Sequence, residues 1–257
     1  MIVLSLVGAG CVQEDEETPA EEAPVDSEPL RAEAIRFGNP PWDDSRASTY
    51  VLKQVLESEG YEVEVVNADL GAVFQGIAQG ELDVYASAWL PTTQGNYWER
   101  YSEDLDYVTN VSSGARIGLV VPSYVPIDSI DELNENREQF GGDIIGIEPG
   151  AGIMETTEEA VDAYDLNYNL VGSSTTAMAA QLQDAISNEE WMVVTLWEPH
   201  WTFARMDLKF LEDPQNVYGS GDNLVVVART GLEEEGQGFT RYFPTMRWKY
   251  PISNQSW

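Results

Sequence analysis

Between residues 34 and 90 the chain alternates between short strand-forming runs and longer amphipathic runs. "AIRFG" reads as a strand, and a helix follows at about 46–59. There Val51, Leu52, Val55 and Leu56 fall on one stripe. Gly60 then stops the helix. "EVEVVNA" alternates with period two, "AVFQGIAQG" is helical, and "LDVYASAW" is a third strand. Strand, helix, strand, helix, strand dictates a parallel sheet covered by helices, the α/β class. Such sheets bind ligands beyond the carboxyl ends of their strands. Trp42 and Trp89 fall there, after the first and third strands.

A second unit of the same kind begins near "ARIGLVVPS". A helix is expected at about 128–139, then a strand, a Gly-rich turn and a helix through "DIIGIEPGAGIMETTEEAVDAY". "TTAMAAQLQDAISN" is helical, and "WMVVTLW" is a buried strand that ends at Trp197. "KFLEDP" and "NLVVVAR" supply a return crossing and a further strand. The expected architecture is two α/β lobes facing each other across a cleft. Residues 34–115, completed by about 212–257, form the first lobe, and 116–211 the second.

Charge narrows the partners. Lys and Arg number 13 against 45 Asp and Glu, a formal net charge of -32. Such a field repels nucleic acid and anionic membrane surfaces. The excess is spread along the whole chain, which fits a protein made for high salt, where ions screen its self-repulsion. The single cysteine, Cys11, and single histidine, His200, rule out an internal disulfide and a Cys/His zinc site. No cofactor or metal is expected.

Residues 1–11 are apolar and end in small residues before Cys11, like the end of a lipoprotein signal whose cysteine carries the lipid. Residues 12–33 are an acidic, proline-rich stretch that cannot bury enough surface to fold. Together they predict a folded body tethered to the outer face of a membrane.

Two constellations carry chemistry. Trp42, Trp89 and Trp197 all stand at ligand-side strand ends, and three indoles from two lobes can form a box. A quaternary ammonium ion suits such a box, because it has no N–H to donate and is met by the negative faces of aromatic rings. The turn Glu148-Pro-Gly-Ala-Gly-Ile-Met154 precedes a helix and offers backbone N–H groups to an anion. No Lys-Ser/Thr follows it, so a nucleotide loop is not supported. Tryptophan platforms also stack on sugars. A secreted carbohydrate-active enzyme or sugar-binding protein that recruits Asp43 and Asp44 is therefore the alternative.

The segments "IRFGNPPWDDS", "GELDVYASAWLPTTQGNYW", "IGIEPGAGI" and "WMVVTLWEPHWTFARMDLKFLEDP" resemble the glycine betaine-binding proteins of ABC importers. The resemblance implies a periplasmic-binding-protein-like fold of type II. It also implies a tryptophan prism of Trp42, Trp89 and Trp197, with the ligand carboxylate held by the backbone N–H groups of Gly152 and Ile153. Relatives often carry a histidine five residues after the "WLP" tryptophan; here that residue is Gln94, which can donate but cannot become cationic. His200 is expected behind the prism, and Trp98, Trp191 and Trp201 as packing. The implied protein is a monomeric, non-enzymatic carrier that delivers its ligand to a permease. The tail "RYFPTMRWKYPISNQSW" departs from the longer helical ending of relatives.

Overall fold

The computed structural model describes residues 33–235 and Tyr242. Cys11, the acidic stretch up to residue 32 and the tail from 243 lie outside the described residues.

Strand β1 (Ile35–Asn39) leads into helix α1 (Asp43–Ser58), then β2 (Val63–Asn67), α2 (Leu70–Ala78) and β3 (Val84–Leu90). β1 lies in the middle, parallel to β2 on one side and to β3 on the other. Every residue of β3 is buried, the pattern of a strand covered on both faces. The buried stripe of α1 is less apolar than its sequence suggests. Leu52 and Leu56 are buried, Val51 and Val55 are half-buried, and Ser45, Ser48 and Thr49 complete the face. Gly60 ends the turn after α1 with φ +91°, a left-handed value that favours glycine.

The second half repeats the plan. Strand β5 (Asp143–Ile145) lies between β6 (Asn169–Val171) and β7 (Val193–Glu198), parallel to both. Helix α4 (Gly152–Ala163) joins β5 to β6, and α5 (Thr175–Ser187) joins β6 to β7. An antiparallel neighbour flanks the third strand of each half: β9 (Asp222–Arg229) beside β3, and β4 (Leu105–Pro122) beside β7. Helix α3 (Gly95–Tyr101) precedes β4.

β4 joins the two halves. Its first part pairs with β9 as far as Ala115, opposite Asp222. From Arg116 to Val120 it pairs with β7, and Val120–Pro122 pairs with the short β8 (Leu208–Phe210). The result is a mixed α/β fold of two lobes with a cleft between them.

One expected helix is absent. Residues 128–139 form two 3₁₀ turns, Ile130–Glu132 and Asn134–Asn136. Their asparagines explain it. The Asn136 amide donates back to the Glu132 carbonyl (2.9 Å), while Asn134 binds the Asp165 carbonyl (2.9 Å) and the Asn167 N–H (2.8 Å). Local bonds of this kind compete with the helical ladder.

Candidate ligand-binding site

Four chain segments meet in the cleft, each at the carboxyl end of a parallel strand. After β1 the chain turns through Pro40-Pro41, and the Trp42 carbonyl accepts the Arg46 N–H at 2.9 Å to start α1. At the end of β3, Trp89 is followed by a loop containing the cis Leu90–Pro91 bond. At the end of β7, Trp197 precedes the cis Glu198–Pro199 bond. After β5, the Gly-rich turn opens α4 at Gly152 and Ile153. The fold thus repeats one arrangement in each lobe: a strand–helix loop from the first strand, and an indole at the end of the third.

Trp42, Trp89, Trp197, Gly152, Ile153 and Gln94 all line one cavity. The three indoles are 7%, 3% and 5% exposed, so the remaining accessible surface of each ring is small. Trp42 and Trp89 come from the first lobe, Trp197 and the turn from the second. Ile117 and Ile147 complete the apolar wall.

Gly152 and Ile153 are the first two residues of α4, so their N–H groups have no partner within the helix. The N-cap, Ala151, has no side chain able to take them. Two N–H donors at the positive end of a helix dipole are suited to a carboxylate. Only glycine fits at 152. A Cβ there would lie 1.8 Å from the carbonyl oxygen of Thr93, on the opposing lobe.

Gln94 is buried, and its side chain mainly braces its own loop. Its Oε1 accepts the Trp89 N–H (3.2 Å), and its Nε2 donates to the Tyr85 hydroxyl at 3.4 Å. An amide carries two N–H donors, and Tyr85 takes one of them. The same loop is held by Asp222, which is buried. Its carboxylate accepts from the Thr92 N–H (2.6 Å), the Thr93 N–H (3.0 Å) and the Thr93 hydroxyl.

Asp44 also lines the cavity; the sequence singled it out only for the sugar-enzyme alternative and not as part of the tryptophan box. It stands two positions after Trp42, a spacing that could have pointed to it. Its carboxylate accepts from the Trp89 indole (3.1 Å) and the Ser87 hydroxyl (2.8 Å). Loss of hydration raises its pKa, and the bonds from Trp89 and Ser87 oppose that rise. The cavity wall therefore combines three indoles and one carboxylate, groups suited to a cation, with the first two residues of α4, whose N–H groups suit an anion. Glycoside hydrolysis needs a pair of flanking carboxylates. Asp44 is the one carboxylate lining this cavity among the described residues, and Asp43 is exposed, so the sugar-enzyme alternative has no support.

His200 packs against Trp197 and does not line the cavity. Its ring meets Trp197 edge-on at 4.7 Å, and its Nδ1 lies 2.8 Å from the Thr202 hydroxyl. Burial lowers its pKa to about 4, against the field of Asp43, which raises it. Trp98 packs edge-on against Tyr107 and Trp191 against Phe140. Trp201 is 39% exposed beside Arg205, so it is a rim residue and not core. No group of three or more His, Cys, Asp or Glu suited to a metal ion occurs among the described residues.

Residues 33–255 match the family model for the substrate-binding domain of ABC-type glycine betaine transport systems. The chain belongs to this family. It is 45% identical over 113 residues to the glycine betaine/carnitine transport binding protein GbuC of Listeria monocytogenes, covering 43% of this chain and 37% of GbuC. That match spans well under half the length of GbuC. Among solved structures it is similar to the glycine betaine/L-proline-binding protein ProX of Borrelia burgdorferi. The TM-score is 0.81 at 37% identity, over 84% of this chain and 82% of that one. It is equally similar to lactococcal OpuAC in its closed conformation with glycine betaine. Here the TM-score is 0.80 at 35% identity, over 84% of this chain and 85% of that one. Family members are substrate-binding proteins of ABC transporters, and the two-lobed, periplasmic-binding-protein-like architecture read from the sequence is the one these neighbours share.

Proposed function

We propose that this chain captures glycine betaine, or a closely related quaternary ammonium osmoprotectant, outside the cell and delivers it to the permease of an ABC importer. The observation that carries the proposal is the convergence of three indoles from two lobes with two helix-start residues, Gly152 and Ile153, on the wall of one cavity. The methylated nitrogen is held between Trp42, Trp89 and Trp197 by cation–π attraction, and the carboxylate by Gly152 and Ile153. No bond is made or broken: the protein is a carrier, and ligand release to the permease completes its task. It works as a monomer.

Binding closes the lobes because the ligand touches both of them, and only interactions present in the closed form alone shift that equilibrium. Residues 34–115, completed by about 212–257, move against 116–211, with Cys11 as the lipid-bearing anchor and 12–33 as its tether. The net charge of -32 suits an organism living in brine. Ring-face attraction in a closed cleft is screened by salt less than exposed ion pairs are, so it survives there.

Calorimetric titration in molar salt tests the reading, with glycine betaine, proline betaine, choline, carnitine and two disaccharides. Saturable one-to-one binding of a betaine and no heat from the sugars is the expected result. Binding of a sugar alone refutes it.

A further inference from the structure

Two of the three box indoles have their N–H engaged by a carboxylate, and the two carboxylates differ in origin. Trp89 donates to Asp44 at 3.1 Å, within its own lobe. Trp42 donates to Glu148 Oε2 at 3.4 Å, across the cleft to the opposing lobe. Glu148 does not reach for Trp42 alone. Its Oε1 accepts the Thr175 N–H at 3.0 Å and its Oε2 the Thr175 hydroxyl at 2.8 Å, at the start of the 13-residue α5. The carboxylate is thus fixed within the second lobe, at the positive end of a helix, whether or not Trp42 is near. Trp89 and its acceptor share a lobe, whereas Trp42 and Glu148 stand on opposite lobes.

We propose that Glu148 is a positioning residue that locks the Trp42 ring into the box only when the lobes close. The acceptor stands ready on one lobe and the donor arrives with the other. The bond therefore exists in the closed state alone and adds to the free energy of closing. An anionic acceptor at the N–H edge also polarises the indole and makes its face a better partner for a cation. Closure and cation affinity are then coupled through a side chain that does not line the cavity. Tyr97 contributes a neighbouring contact between the lobes, its hydroxyl donating to the Gly150 carbonyl at 3.0 Å, but it does not itself line the cavity.

Glu148→Gln isolates the bond. The glutamine oxygen still accepts from the Thr175 N–H, and the Thr175 hydroxyl accepts from the new amide. The amide then presents a donor to the Trp42 N–H, where an acceptor stood. Two measurements on the full chain read the effect. The first is the closed fraction of ligand-free protein, by energy transfer between dyes on the two lobes; it does not depend on which ligand is bound. The second is the dissociation constant for glycine betaine, which rests on the function proposed above. Glu148→Gln is expected to lower the closed fraction, leave the thermal midpoint near wild type, and weaken betaine binding about tenfold. In a Trp42→Phe background, where the donor is already gone, the same substitution is expected to change affinity less than twofold. Equal losses in both backgrounds overturn the proposal, as does an unchanged closed fraction. Should Glu148→Gln fail to fold, Trp42→Phe removes the same bond from its donor side, and closure that ignores it overturns the proposal equally. If wild-type protein binds no betaine, the ligand assignment fails while the ligand-free measurement still decides the role of Glu148.

Discussion

Gly152→Ala places one methyl group where the two lobes meet. The new Cβ would lie 1.8 Å from the Thr93 carbonyl oxygen, against an ordinary contact of at least 3.4 Å. The shortfall of about 1.6 Å cannot be met by bending the Thr92–Thr93 turn, because Asp222 pins both of its N–H groups. The lobes themselves must part. Trp197 and the two N–H groups at the start of α4 then recede from Trp42 and Trp89, and a ligand seated on one lobe loses the other. A gap of ~0.5–1 Å already forfeits a quarter to a half of a contact's attraction. One ring face is worth about 0.5–2 kcal/mol, and a hydrogen bond to a charged group about 1.5–3 kcal/mol. Losing part of the first and most of the second costs about 2–3 kcal/mol, a dissociation constant raised roughly 30- to 150-fold. The fold itself is spared, since the clash lies between lobes and alanine favours a helix over glycine. Calorimetry with glycine betaine gives the affinity, and a melting curve gives the stability. Affinity within twofold of wild type would refute the claim that binding requires this close approach.

Three further outcomes follow from the same contacts. Trp89→Ala removes one ring of the box and should weaken betaine binding at least tenfold, from about 1.4 kcal/mol for the lost face; titration calorimetry reads it. Asp222→Asn leaves at least one buried N–H of the Thr92–Thr93 turn without an acceptor. It should cost about 1–3 kcal/mol in denaturant unfolding and weaken ligand binding as the Gln94 loop loosens. Folding holds His200 neutral, with its pKa lowered from 6.5 to about 4. The unfolded chain takes up that proton first, so its contribution is intact above pH 6.5 and lost as pH falls toward 4. The melting temperature of wild type should therefore drop more steeply over this range than that of His200→Gln. Parallel curves would contradict it. Asp44, whose raised pKa acts in the opposite sense, is common to both proteins and cancels in the comparison.

The parts of the fold that could be read in advance are those with a clean period. β1, α1, β2, α2 and β3 all stand where alternation and turn residues put them, because each buries one face or both in the first lobe. β6 is three residues long and too short for any period to show. The first part of β4, from Leu105 to Gly114, carries few buried side chains, so its sequence lacks the apolar pattern of its continuation after Ala115. The helix expected at 128–139 failed because asparagine side chains offered the backbone other partners. At the site, tryptophans were legible since rings at strand ends stand out. Asp44 was named only as a sugar-enzyme carboxylate, and its bond to Trp89 was not legible: among 45 acidic residues nothing in the sequence distinguishes a carboxylate bound to an indole from one facing water. Glu148 was hidden in the same way, read as part of a Gly-rich turn when its partners lie 27 and 106 positions away. Gln94, singled out by its spacing from Trp89, lines the cavity, but its bonds to Trp89 and Tyr85 are a matter of loop geometry that spacing does not reveal.

A crystal structure of the protein grown with glycine betaine tests the central claim most directly. The trimethylammonium nitrogen is expected within about 6 Å of the centroids of Trp42, Trp89 and Trp197 together. The carboxylate is expected at hydrogen-bonding distance from the N–H groups of Gly152 and Ile153. Betaine bound elsewhere on the surface, or in the cleft with its carboxylate turned toward the rings, would contradict the claim.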